Sequence, residues 1–295
     1  IPFNTKKGDF MVTANDLLKK TFVKVDVNDT VGDFLGSLRR KKQTFAVVFD
    51  RKKYKGITGR KWLLTSRVDA GKTKMSNIMK QASKKRTAFF VPKLKPSTDL
   101  KEVCRLMASA DSRALPVFDK NDQLLGVVTA RAVLRKIKSA YKGIPVRELA
   151  TKKLVTIGMR DTVGDAIKTM NRSNVDRLPV LAKNGKLAGI VTELDILKRF
   201  HKFPLTSMKY PSEADHDGWS DPSWDSGEKT RMIGLPVENI MTPYPMVITA
   251  DFGSTIAAAI DVLVDEDVNS VVLIEDDRPA AMLTVKDVLD DYARE

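Results

Sequence analysis

Residues 178–195 read Leu-Pro-Val-Leu-Ala-Lys-Asn-Gly-Lys-Leu-Ala-Gly-Ile-Val-Thr-Glu-Leu-Asp. Two short apolar runs flank the polar turn Lys183-Asn184-Gly185, which predicts a pair of strands. Thr192 closes the second run and Asp195 stands three residues further on, the spacing of a capped helix start. The stretch therefore predicts strand, turn, strand, helix.

The same order recurs along the chain. First strands are expected at Phe45-Ala46-Val47-Val48-Phe49, Leu115-Pro116-Val117-Phe118, Leu178-Pro179-Val180-Leu181 and Val271-Val272-Leu273-Ile274. Second strands are expected at Lys55-Gly56-Ile57-Thr58, Leu125-Gly126-Val127-Val128-Thr129, Ala188-Gly189-Ile190-Val191-Thr192 and Ala281-Met282-Leu283-Thr284. Upstream of each pair lies another helix start: Asn28-Asp29-Thr30-Val31-Gly32-Asp33 returns as Arg160-Asp161-Thr162-Val163-Gly164-Asp165. Ser97-Thr98-Asp99-Leu100 and Gly253-Ser254-Thr255-Ile256 hold the same place elsewhere, and Val163, Ala166, Ile167 and Met170 follow with helical spacing. Self-similarity of this kind marks a repeat protein.

With 295 residues and 42% hydrophobic content, the chain has the material for about two globular domains. The single cysteine, Cys104, excludes an intramolecular disulfide, and its neighbours Val103, Leu106 and Met107 place it on the inward stripe of a helix. No apolar run reaches the roughly 18 to 20 residues that span a bilayer, so no membrane association is expected. The stretch Ile1-Pro2-Phe3-Asn4 lacks the apolar core of a secretory signal, and the expected compartment is a reducing cytoplasm.

On these residues the chain resembles the CBS-domain family, with four repeats in matching contexts. The resemblance implies an α/β (α+β) fold in which four CBS repeats form two tandem pairs, or Bateman modules, each with small sheets flanked by helices. The repeats are expected at residues 10–70, 75–140, 144–201 and 234–295, after an extension at 1–9 and with a polar insertion at 202–233.

The resemblance also implies a ligand, an adenine nucleotide (AMP, ADP or ATP) acting as a regulator, with no cofactor required. In nucleotide-binding members the Asp that ends the motif takes the ribose hydroxyls, and the Thr three residues earlier helps hold ribose or phosphate. The third repeat carries both as Thr192 and Asp195, and the fourth as Thr284 and Asp287 with Ala281 in place of the motif glycine. Ile190, Pro179 and Val180, and in the fourth repeat Met282, Val272 and Leu273, are expected as walls of an adenine slot, with lead-in segments at Thr151, Leu154 and Val155 and at Thr242, Met246 and Val247. Arg177 is the expected phosphate contact. An ionised carboxylate accepts two ribose hydroxyls, which neither Ala132 of the second repeat nor Trp62 of the first can do. The competing reading of each Thr and Asp is a plain helix cap.

The insertion holds Asp215, His216, Asp217, Asp221 and Asp225, but the calcium-loop pattern fails and no second histidine stands at ligand spacing, so no metal site is expected. Trp219 and Trp224 are expected to anchor that loop or meet a partner. Catalytic domains such as that of IMP dehydrogenase often accompany CBS repeats, yet the repeats use almost every residue, and no phosphate loop, zinc cluster or nucleophile elbow is present. A non-enzymatic protein is expected.

Charge separates the halves. The formal net charge is +14, but residues 1–140 carry +20 and residues 141–295 carry −6. The cations cluster at Arg39, Arg40, Lys41 and Lys42, at Arg51, Lys52, Lys53 and Lys55, at Lys84, Lys85 and Arg86, and at Arg131, Arg135, Lys136 and Lys138. Projecting from turns and helix ends, such groups neutralise phosphates and release counterions. RNA, most simply ribosomal RNA or the ribosome, is the expected partner of this half, with phosphate contact favoured over base reading by Tyr54, Trp62, Phe89 and Phe90. The plainer account is a solvated lysine-rich surface that adds stability. The alternative function is an energy-sensing subunit that binds a partner enzyme, similar to the regulatory subunit of AMP-activated protein kinase. A homodimer of such modules is compatible with either.

Overall fold

The computed structural model describes residues 12–41, 43–59, 71–84, 91–173, 175–193, 195–196 and 233–295. The expected strand pairs form in all four repeats. In the first, β1 (Val23–Asp26) runs parallel to β2 (Phe45–Asp50), which pairs antiparallel with β3 (Lys53–Gly59). In the second, β4 (Ala114–Phe118) and β5 (Leu124–Thr129) form the hairpin, and a parallel bridge from Leu94 to Val117 replaces the leading strand. In the third, β6 (Ile157–Gly158), β7 (Arg177–Leu181) and β8 (Leu187–Thr192) repeat the pattern of the first. A further strand, β9 (Thr242–Pro243), pairs antiparallel with β8. In the fourth, the order is β10 (Thr249–Asp251), β11 (Ser270–Glu275) and β12 (Arg278–Thr284). The short leading strands β1, β6 and β10 extend the sheets beyond what the apolar runs predicted.

The helices begin where caps were expected. Thr30 caps α1 (Val31–Arg40), and Asp99 caps α3 (Leu100–Ser109). Thr162 accepts from Asp165 N ahead of α5 (Val163–Ser173), and Thr255 caps α6 (Ile256–Asp265). Thr129 and Thr284 cap the helices that follow the hairpins, α4 (Ala130–Ile137) and α7 (Val285–Arg294), while α2 (Met75–Lys84) opens the stretch expected for the second repeat. The two-residue loop between β11 and β12 places both Asp276 and Asp277 at positive φ, the backbone that a twisted two-residue hairpin needs.

Each first helix start is bonded to the lead-in of another repeat. Val31 N donates to Thr73 O, Leu100 N to Val12 O, Val163 N to Leu235 O and Ile256 N to Ile144 O, at 2.8–3.1 Å. The exchange carries apolar groups with it. Met75 and Ile78 enter the core of the first repeat with Val23, Phe34 and Leu38. Val237 enters that of the third with Ile157, Met170 and Val191.

The chain divides into two compact units, residues 1–151 with 252–271 and 282–295, and residues 152–251 with 272–281. The dividing line cuts through the fourth repeat, while the exchanged lead-in bonds join the first repeat to the second and the third to the fourth, the expected tandem pairs. Within the first unit α3 packs on α7 and α4 on α6, so helices of the fourth repeat belong to the body that holds the second. The Tyr141 hydroxyl, fully buried there, lies 3.1 Å from Val288 O and 3.0 Å from Asp291 Oδ2. Cys104 is buried in the same body, and burial pushes its thiol up to about 12. No helix among the described residues is long and apolar enough to cross a membrane.

Candidate nucleotide sites

The third-repeat site is built on β7, β8 and β9. Strand register sets Arg177 opposite Thr192, Pro179 opposite Ile190, and Ile190 opposite Thr242. The lead-in can come this close only because residue 189 is glycine: a Cβ there would lie 2.6 Å from Thr242 O and 2.7 Å from Met241 Sδ. Gly126 has the same cause, with its would-be Cβ 2.7 Å from Lys19 O. The motif glycine thus answers a close backbone approach rather than a positive φ.

At the end of β8, Thr192 Oγ1 donates to Asp195 Oδ2 at 2.7 Å and Thr192 N donates to the same oxygen at 3.0 Å. Asp195 N donates back to Thr192 Oγ1 at 3.2 Å. This is a complete capping box, so the capping reading holds here, and both bonds that the carboxylate accepts from Thr192 fall on Oδ2. Arg177 is held by its neighbour Asp176: Nε donates to Oδ1 at 2.8 Å and Nη2 to Oδ2 at 2.9 Å. Asp176 was not anticipated. A two-pronged carboxylate partner fixes the guanidinium plane and leaves fewer of its five donors for a phosphate.

In the first compact unit the fourth-repeat site has the same geometry. Thr151 and Met282 exchange backbone bonds of 2.9 and 3.1 Å across an antiparallel bridge. Thr284 Oγ1 donates to Asp287 Oδ2 at 2.7 Å, Thr284 N donates to it at 2.8 Å, and Asp287 N donates to Thr284 Oγ1 at 3.1 Å. Ala281, in the glycine position, is fully buried.

Burial distinguishes this carboxylate from other boxes of the same kind. Asp33 and Asp165 make the same bonds to Thr30 and Thr162 at the surface, and those bonds hold both carboxyls below the usual range. Asp287 makes them while half-buried, and desolvation outweighs the Thr284 bonds and pushes its carboxyl up. A surface cap needs no such burial.

Several expected site residues lie elsewhere. Val180 was expected as a wall of the adenine slot, but it packs in the core with Leu178 and Met170, because strand alternation turns it to the face opposite Pro179. Val155 packs against that same core, and Val247 is buried. Leu154 is half-buried and belongs to a different compact unit from Thr151. Met246 is 72% exposed, with Tyr244 beside it also exposed.

The basic clusters are mixed in the same way. Arg39, Arg40 and Lys41 are exposed at the end of α1, Arg51, Lys52 and Lys53 at the hairpin between β2 and β3, and Arg135 and Lys136 in the last turn of α4. Lys55 pairs with Asp50 at 3.2 Å. Lys138, expected as a phosphate contact, is instead bonded to Asp261 at 2.6 Å, because α4 lies against α6. Arg131 is half-buried, with Nη2 3.5 Å from Asp265 O. Tyr54 is no stacking platform: its ring packs edge-on against Phe118 at 5.0 Å and burial raises its phenol. Lys42, Trp62, Lys85, Arg86, Phe89 and Phe90 lie outside the described residues, as do the side chain of Lys84 and the acids and tryptophans of the insertion. Among the described residues no cluster of acids, histidines or cysteines is arranged to hold a metal.

Against known proteins, the family model described as CBS domain matches residues 90–139, 146–202 and 237–294, over half of the chain. The uncharacterized protein MJ1404 of Methanocaldococcus jannaschii is 28% identical over 286 residues, which is 94% of this chain and 61% of that protein. The chain therefore spans less than two thirds of that relative. An uncharacterized 33.4 kDa protein in the ribosomal RNA operon of Thermofilum pendens is 24% identical over 193 residues, covering 65% of this chain and 58% of that protein. Among solved structures, protein MJ1225 of Methanocaldococcus jannaschii, described as a candidate archaeal homologue of g-AMPK, superposes with a TM-score of 0.68 at 20% identity. The superposition covers 95% of this chain and all of that one, and at that identity the likeness is one of fold alone.

Proposed function

This chain belongs to the CBS-domain family, and on that premise we propose that it is a non-catalytic regulatory protein whose third and fourth repeats each bind an adenine nucleotide. The observation that carries this reading is the Thr284–Asp287 pair, whose half-buried carboxylate is desolvated beyond what a surface helix cap requires. Thr192 and Asp195 repeat its bond pattern in the third repeat. In each site the Asp accepts the ribose hydroxyls, the Thr steadies ribose or phosphate, and the apolar residue on the second strand, Ile190 or Met282, packs on adenine. Arg177, oriented by Asp176, meets the phosphate. The second repeat has lost this function through Ala132.

Calorimetric titration of AMP, ADP and ATP into the full chain tests the reading. Asp195→Ala and Asp287→Ala should each remove one binding event, and the double variant should bind none. Unchanged binding in the double variant would reduce both pairs to helix caps.

The finer part of the proposal is that the basic half binds structured RNA in the cytoplasm and so couples nucleotide level to translation. It is supported by the +20 charge of residues 1–140, by the exposed cations at Arg39–Lys41 and Arg51–Lys53, and by the ribosomal RNA operon named for the Thermofilum relative. The second reading, a subunit that conveys nucleotide level to a partner enzyme, is favoured by the description attached to MJ1225. Co-sedimentation with ribosomal subunits across a salt series separates them. Association that weakens steeply with salt supports RNA contact, and none at moderate salt leaves the partner enzyme.

A further inference from the structure

The outer edge of the first-repeat sheet carries a row of aromatic and cationic side chains. Strand β1 is the outer strand of that sheet, and its burial alternates: Val23 and Val25 enter the core while Lys24 stands exposed. The parallel register sets Lys24 opposite Val47 and Asp26 opposite Phe49, so Phe49 shares the face of Lys24. Phe22, just ahead of β1, is half-buried, and so is Phe49. Lys24 Nζ lies 5.6 Å from the centre of the Phe22 ring and 5.8 Å from that of Phe49, so one ammonium is within reach of both rings.

Both distances stand at the outer limit of a cation–π contact, about 6 Å. Lys93, by contrast, approaches the Phe118 ring to 4.2 Å and is also paired with Asp122. Lys24 therefore caps neither of its rings. The acid in the row, Asp26, is occupied: it accepts from Asn28 N and Nδ2 at 2.9 Å and from Arg51 N at 3.1 Å. The last of these bonds ties the exposed hairpin tip, Arg51, Lys52 and Lys53, to the end of β1.

Each part of this arrangement answers to a different part of a nucleotide chain. Aromatic faces stack on bases whatever their identity, and cations beside them take the phosphates. A duplex offers its phosphates but keeps its bases stacked inside, out of reach of a ring at a sheet edge. An acidic peptide would use Lys24 and the hairpin tip and leave Phe22 and Phe49 unused. We propose that Phe22, Lys24 and Phe49, with Arg51, Lys52 and Lys53, form a docking strip for a single-stranded RNA segment. Two bases stack on the rings, and the backbone runs past Lys24 to the hairpin tip. The proposal rests on the reading that the basic half binds RNA, and it names the kind of RNA and the surface that takes it.

The test is fluorescence anisotropy of the full chain with a short labelled oligouridylate and with a short RNA duplex, across a salt series. The single strand should bind more tightly than the duplex at each salt concentration. Phe22→Leu combined with Phe49→Leu should weaken the single strand at least about tenfold, the loss of stacking on two bases, and leave duplex binding and the salt slope unchanged. Lys24→Gln should lower the slope of log affinity against log salt by about 0.7, the value of one phosphate contact on a single strand. Lys24 is exposed, so this variant reads the strip even where the unfolding midpoint reports that the double Phe variant is destabilised. Single-strand binding unchanged by both variants overturns the strip and leaves RNA contact to other cations of the basic half. No binding to either RNA overturns the strip together with the RNA reading itself. Equal displacement of the oligouridylate by polyglutamate at matched charge assigns the surface to an acidic protein partner and overturns the proposal as well.

Discussion

Asp287 and Asp165 have the same bonds to a threonine three residues back, yet their carboxyls move in opposite directions, and the greater desolvation of Asp287 is the main cause, with the neighbouring Asp290 adding to it. The sign has consequences for pH. A carboxyl whose folded value lies above its unfolded value favours the folded state while protonated, and that contribution is lost as pH rises through the folded value. Ligand binding needs the ionised form, so nucleotide affinity of the fourth repeat should grow as pH rises through the elevated Asp287 range. Asp287→Asn should flatten the pH dependence of stability and abolish binding in that repeat, measured by denaturant unfolding and titration from about pH 3 to about pH 8, which begins below the ordinary Asp value of about 4. Thr30→Ala offers the contrast: it removes a surface cap, should cost about 1 kcal/mol in unfolding free energy, and should leave nucleotide binding unchanged.

At the scale of elements, the hairpin of one repeat receives the lead-in of another. Thr242 lies on Ile190, Thr151 on Met282 and Lys19 on Val127. Gly189 and Gly126 permit two of these contacts, and a methyl group at either would meet a carbonyl oxygen well inside van der Waals distance. Gly189→Ala should therefore displace β9, lower the unfolding midpoint by several degrees, and weaken nucleotide binding in the third repeat more than in the fourth. Ala281 shows that the fourth repeat has adjusted its bridge to carry a methyl group, since Thr151 and Met282 still exchange both backbone bonds. Site-resolved titration in the Asp287→Ala background reads the third repeat alone.

For the whole molecule, the charge divide belongs to the chain, but its use depends on which cations remain free. Lys138 and Lys55 are engaged with Asp261 and Asp50, and Arg131 is half-buried, whereas Arg39, Arg40 and Lys41 stand in solvent. Reversing those three to Glu should leave the unfolding midpoint within about 2 °C, as surface changes do, and should lower both RNA affinity and the slope of its salt dependence. The four hairpins and the starts of α1, α3, α5 and α6 were legible in the sequence, because β-branched runs, turn residues and Thr or Asp caps act over a few neighbouring residues. So were Thr192–Asp195 and Thr284–Asp287, which are local pairs. The strands of two to four residues, β1, β6 and β10, carry too little pattern to stand out. Lys138 meeting Asp261 across 123 residues and the burial of Val180 in the third-repeat core depended on tertiary packing. By itself the sequence determined the repeat, its caps and its acidic residues, since those follow from short-range bonding and periodicity. Only the tertiary structure decided which carboxylate is desolvated and which cation is paired, because burial and long-range charge pairing depend on what the rest of the chain brings alongside.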